Sequence, residues 1–119
     1  MKMVKIHKAK GVHILLNMRK CNKYKLNDVQ KLITYLKEAS ISAGSTPSGY
    51  RFKKFQPQGC SVIYLLDESH ISIHTYPEHS TAFVDIFTCG ESANPHLACD
   101  YLIDKLEAGY FTKKAIIRV

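Results

Sequence analysis

The 119-residue chain has no tryptophan, no Cys-x-x-Cys pair and no apolar stretch of membrane-spanning length. Its longest apolar-looking run, residues 60–66, falls well short of the ~20 residues a spanning helix needs. The start, MKMVKIHKAK, is basic but lacks the apolar h-region of a signal peptide, so export is not expected and the cytoplasm is. The four cysteines (Cys21, Cys60, Cys89, Cys99) lie far apart, and in a chain without an export signal they read as free thiols. Acidic residues are scarce, 10 against 17 basic, for a formal net charge of +7. Lys2, Lys5, Lys8, Lys10, Arg19, Lys20, Lys23 and Lys25 crowd the first quarter. Such a face can attract nucleic acid by counterion release, but no nucleic-acid motif accompanies it. It reads as solvated surface, with neither nucleic acid nor membrane as partner. There is no internal repeat and no low-complexity segment.

What is present suits one domain, residues 1–119, since 45% apolar and 23% charged residues are ordinary for a soluble globular chain of this length. Residues 11–17 (GVHILLN) form a short apolar run and read as a buried strand. Asn27, with Gln30 three residues on, reads as the cap of a helix whose apolar stripe is Val29, Leu32, Ile33 and Leu36. The cluster AGSTPSG, residues 43–49, is a loop. Strands are expected over 50–55, 61–66, 69–76 and 81–88, spaced closely enough for an antiparallel meander. Asn94-Pro95 starts a second helix with the stripe Leu97, Ala98, Tyr101, Leu102 and Leu106, and Gly109 is its expected stop. A last strand covers 112–118. The order β-α-β-β-β-β-α-β defines an α+β two-layer sandwich, a mostly antiparallel sheet with two helices on one face.

The chemistry concentrates between Asp67 and Gly90, in DESHISIHTYPEHSTAFVDIFTCG. His70 and His74 would share a metal if helical, but Ile71 and Ile73 alternate with His70, Ser72, His74 and Tyr76. On a strand, residues four apart are separated by roughly 13 Å, and no carboxylate stands at metalloprotease spacing, so no metal is expected. A Ser69-His74-Asp85 hydrolase lacks the G-x-S-x-G elbow such a nucleophile uses.

ESHISIHTYPE followed by VDIFTCG resembles the ESH-x-x-IHT-W-PE … D-x-FTCG pattern of the small bacterial and archaeal S-adenosylmethionine decarboxylases. Gly11 and His13 fit that family's early G-x-H strand, and Phe55-x-Pro-x-Gly fits its approach to the cleavage strand. The resemblance implies a proenzyme that cuts itself between Glu68 and Ser69 into chains 1–68 and 69–119. Ser69 would become a pyruvoyl group that forms a Schiff base with the substrate amine, with no metal and no pyridoxal phosphate. His74 would move protons during processing, and Ser61 would steady the processing intermediates. Cys89 would return a proton to the substrate after CO2 leaves. Phe55, Tyr76 and Glu78 match the substrate-binding positions. The family also implies a homodimer of processed protomers.

The resemblance leaves the substrate open. Tyr76 stands where the family has Trp, His79-Ser80-Thr81 where it has Tyr-Gly-Tyr, and Asn17–Cys21 where it has an acidic D/E-x-Tyr-Gly-Cys segment. S-adenosylmethionine is the first expectation, feeding spermidine synthesis. L-ornithine or L-arginine on the same scaffold is the alternative, and an uncleaved, non-catalytic regulatory homologue is a further one. Arg19, Lys20, Lys53 and Lys54 are the cations considered for a substrate carboxylate.

Overall fold

The computed structural model describes residues 9–90 and 92–119; Lys2, Lys5, Lys8 and His7 lie outside them. Six strands form one sheet: β1 (Gly11–Arg19), β2 (Gly49–Lys54), β3 (Cys60–Leu66), β4 (Ser69–Tyr76), β5 (Thr81–Cys89) and β6 (Tyr110–Arg118). Their spatial order is β2-β3-β4-β5-β1-β6, every pairing antiparallel. The meander from β2 to β5 is thus continuous, and β1 inserts between β5 and β6. Helices α2 (Val29–Ser42) and α3 (Pro95–Lys105) pack against each other and onto the sheet, and a short α1 (Lys23–Leu26) precedes them.

Side chains alternate across the pleat, and that alternation sorts the molecule. Ile14, Leu16 and Met18 of β1, Val62 and Leu66 of β3, Ile71 and Ile73 of β4, and Val84 and Ile86 of β5 are buried in one core with Leu32, Leu36, Ala98 and Leu102 of the helices. Each such side chain contributes about 1.5–3 kcal/mol by leaving water. The intervening residues, among them His13, Ser61, His70, Ser72, His74, Tyr76 and Asp85, lie on the other face, which no helix covers. The edge strands β2 and β6 are exposed throughout.

Three local expectations need correction. Asp28, not Asn27, caps α2, its carboxylate accepting the Lys31 N–H at 3.1 Å. Asn27 is engaged elsewhere: its Oδ1 accepts from the Gly59 N–H at 2.9 Å and from Lys54 Nζ at 2.7 Å. In α3 the buried stripe is Pro95, Ala98, Cys99 and Leu102, while Leu97 is 46% exposed. The stop comes before Gly109: α3 ends at Lys105 with Leu106 as its cap, and Glu107 follows at φ +56° with its carboxylate held by Lys25 Nζ at 3.0 Å and Asn22 Nδ2 at 3.1 Å. Gly109 serves a close approach instead, since a Cβ there would meet Lys20 Cβ at 3.0 Å.

Candidate active site

Two groups of side chains gather at opposite ends of β4. At its start, Leu66 pairs with Ser69 across a two-residue turn in which Asp67 takes φ +60°. An aspartate tolerates that left-handed conformation better than most residues. The Glu68–Ser69 bond therefore lies where turn becomes strand, and a break there leaves both strands paired. Ser69 is buried, and its Oγ accepts the Cys89 N–H at 3.0 Å. The Cys89 thiol points at the Glu68 carbonyl oxygen, Sγ to O 3.8 Å. Both groups of the proposed cut and the one partly exposed cysteine thus meet. The other three thiols are buried, and burial pushes Cys21 and Cys99 up to about 11 and raises Cys60. A thiol so held stays protonated and unreactive.

At the far end, Ser61 lies directly opposite His74, Oγ to Nδ1 2.7 Å. These two border a shallow cavity of about 340 Å3 that also touches Arg51, Lys53, Ile63 and Ser72. The three substrate-binding candidates lie at this end of the sheet: Phe55, Tyr76 and Glu78. Phe55 follows β2 with Lys53 Nζ 5.5 Å from its ring centre; Tyr76 packs edge-on against Phe83 at 5.6 Å; Glu78 is exposed in the 3-10 turn Pro77–His79. A separate hollow of about 630 Å3 beside α1 touches none of Ser61, Glu68, Ser69, His74, Cys89, Phe55, Tyr76 and Glu78, though Pro77, between the last two, lines it.

The end of β3 that carries Ser61 is pinned from the core. Buried Thr75 accepts the Cys60 N–H at 2.9 Å and donates to the Leu26 carbonyl at 2.8 Å. The sequence gives Thr75 no role beyond its place in the IHT motif, and only the three-dimensional pairing shows it.

One protomer does not bring the two groups together. Ser69 and His74 are five residues apart on a strand, about 16 Å at ~3.3 Å per residue, and their side chains alternate to opposite faces. The Ser69-His74-Asp85 triad is not assembled either, because Asp85 Oδ1 is 3.2 Å from His13 Nε2. The His13 ring lies edge-on to His70 and Phe87, at 6.3 and 6.1 Å. Burial, then the charges of His13 and Arg118, hold the His70 imidazole below its ordinary range against the opposing pull of Asp85. Among the described residues no group of three or more His, Cys, Asp or Glu side chains is placed to hold a metal, and no helix is long and apolar enough to cross a membrane.

The sheet, its single helical layer and the functional groups about its open face define an α+β two-layer protein with chemistry at both ends of one strand. Residues 12–119 match the S-adenosylmethionine decarboxylase family. Proteins called S-adenosylmethionine decarboxylase proenzyme are 38% identical in Caldicellulosiruptor saccharolyticus, over 92% of this chain and 89% of that one, and 43% identical in Moorella thermoacetica, over 85% and 81%. The crystal structure of the adenosylmethionine decarboxylase from Aquifex aeolicus superposes with a TM-score of 0.84 at 34% identity, covering 92% of this chain and 91% of that one. The Trypanosoma brucei AdoMetDC-delta26 monomer shares the fold, with a TM-score of 0.58 at 16% identity, over 91% of this chain and 46% of that one. The chain belongs to the S-adenosylmethionine decarboxylase family, and is a decarboxylase by that membership.

Proposed function

We propose that the chain is a proenzyme that cuts itself between Glu68 and Ser69 and then decarboxylates S-adenosylmethionine, making the aminopropyl donor for spermidine synthesis. The observation that carries this reading is the Glu68–Ser69 junction, with Cys89 bonded to Ser69 Oγ through its N–H and facing the Glu68 carbonyl through its thiol. In processing, Ser69 Oγ attacks the Glu68 carbonyl carbon and converts the amide to an ester. Removal of the Ser69 α-proton expels the Glu68 carboxylate by β-elimination. The dehydroalanine takes up water and releases ammonia, which leaves a pyruvoyl group heading chain 69–119. That group, when present, supplies an electrophilic carbonyl that draws off the electrons released with CO2, so neither metal nor pyridoxal phosphate is called for.

The protein's own residues divide the remaining work. Ser61 occupies His74 Nδ1, which leaves Nε2 to take and give protons. Cys89 returns a proton to the product. Phe55 and Tyr76 offer aromatic faces for a flat heterocycle, and Glu78 a carboxylate for the ribose or sulfonium. Because Ser61 and His74 are some 16 Å from Ser69 along β4, a second copy must bring them there. The open face suits that: Leu15, Ile63, Leu65, Phe83 and Ile116 are all more than a third exposed on it. Two sheets stacked face to face about a twofold axis across the strands set the His74 end of one copy on the Ser69 end of the other.

L-ornithine or L-arginine as substrate draws support from a contact between the two segments that depart from the family pattern. Arg19 Nη1 donates to Thr81 Oγ1 at 3.3 Å, and the Cys21 N–H donates to the Ser80 carbonyl at 2.9 Å. Changes that touch one another can rebuild a pocket together. A denaturing gel with intact mass tests the proenzyme reading. Chains 1–68 and 69–119 are expected from the wild type and a single chain from Ser69→Ala. Active protein with an intact full-length mass would refute self-cleavage, and an intact inactive chain would point to a regulatory homologue.

A further inference from the structure

Next to Cys89 the open face has a gap in its side chains. Gly11 pairs with Cys89 on one side and with Arg118 on the other. A Cβ at Gly11 would lie 2.5 Å from Cε1 of Phe87, so the glycine leaves room for that ring. The Arg118 guanidinium rests over the same ring, 5.0 Å from its centre. Arg118 belongs to β6, three strands from Ser69 in the order β4-β5-β1-β6, yet its cation reaches β5, the strand beside Ser69. Asp85, on the same strand as Phe87, is engaged with His13 at 3.2 Å. Among the described residues no carboxylate pairs with Arg118. A guanidinium laid on an aromatic face is preorganised, with its planar fork of donors left for a carboxylate.

We infer that Arg118 binds the α-carboxylate of the amino-acid substrate, the group that departs as CO2. The inference rests on the decarboxylase reading but not on the choice of substrate, since S-adenosylmethionine, L-ornithine and L-arginine all carry that group. The cations considered from sequence are placed differently. Arg19 is bonded to Thr81, Lys54 to Asn27, and Lys53 lies over Phe55, so each already has a partner within its own protomer. Charge leaves the carboxylate as CO2 forms, so the Arg118 contact is made in the ground state and fades along the reaction. Its loss raises KM without a proportional fall in kcat.

The test uses processed enzyme and the substrate that wild type turns over. Arg118→Gln is expected to raise KM about tenfold to a hundredfold, the worth of a charge-assisted carboxylate contact, with Arg118→Lys in between. Affinity for the decarboxylated product, which lacks the carboxylate, is expected to stay the same. Lys113→Gln, on the other face of β6, serves as control. An unchanged KM, an equal loss of affinity for the product, or a fall in kcat at constant KM would each overturn the assignment. If Arg118→Gln does not fold or process, wild type decides: a carboxamide analogue of the substrate should bind more weakly by the same factor, and equal binding overturns the assignment. Wild type that turns over none of the three substrates defeats the decarboxylase reading itself, and this assignment with it.

Discussion

The sharpest consequence of the geometry concerns mixed dimers. Ser69 and His74 of one protomer are separated by about 16 Å along β4, several times hydrogen-bond reach, so in the proposed dimer each working site takes Ser69 from one copy and His74 from the other. Ser69→Ala and His74→Ala alone are each expected to be unprocessed and inactive. Produced together in equal amounts, the two chains pair at random, and half the dimers are mixed. Each mixed dimer has one site in which both residues are mutant and one in which both are native. One site in four is then intact, so cleavage and CO2 release should recover to about a quarter of the wild-type level. The assay is co-expression with distinguishable tags, tandem purification, and a gel and CO2 measurement on the mixed species, which alone should reach about half the wild-type level because one of their two sites is intact. No recovery, with mixed dimers present in the purified sample, would refute the shared site and require processing within one chain.

Two further outcomes follow from single contacts. Thr75→Val removes the partner of both the Cys60 N–H and the Leu26 carbonyl, and should cost about 1–3 kcal/mol. Thr75→Ser, which keeps the hydroxyl, should recover most of it, as denaturant melts would show; equal stability of the valine and serine variants would contradict the pinning role. His70 gives a pH dependence. Its folded pKa lies below the ordinary 6.5, so above that value it costs no stability. As pH falls through 6.5 toward the folded value, the unfolded chain takes the proton first and stability drops. His70→Gln should flatten that acid limb in melts compared at neutral and mildly acidic pH, and an unchanged limb would place the cause elsewhere.

Much of this was legible in the sequence because the signals were local. Alternation over 69–76 reproduces β4 residue for residue, and Asn94-Pro95 does cap α3, with Asn94 Oδ1 accepting the His96 N–H. Boundaries went astray where a distant group intervened. Asn27 has the residue type of a cap, but Gly59 and Lys54 take its side chain. The helix ends at Lys105, before the expected glycine, where Lys25 and Asn22 hold the carboxylate of left-handed Glu107 just past its cap. The division of the site was within reach of the sequence. The strand spacing that keeps His70 and His74 from sharing a metal also separates Ser69 from His74, and the pleat turns them to opposite faces. What pattern alone conceals is registry between remote strands. His13 meets Asp85, and Arg118 reaches Phe87 across Gly11, only because β1 inserts between β5 and β6.

The most direct measurement is CO2 release by the purified protein from S-adenosylmethionine, L-ornithine and L-arginine in parallel, with Ser69→Ala beside it. Release from S-adenosylmethionine alone, abolished in Ser69→Ala, is the predicted result. Release from a basic amino acid alone would mean that the contacting Asn17–Cys21 and His79–Thr81 segments have rebuilt the pocket, and release that survives Ser69→Ala would contradict the account.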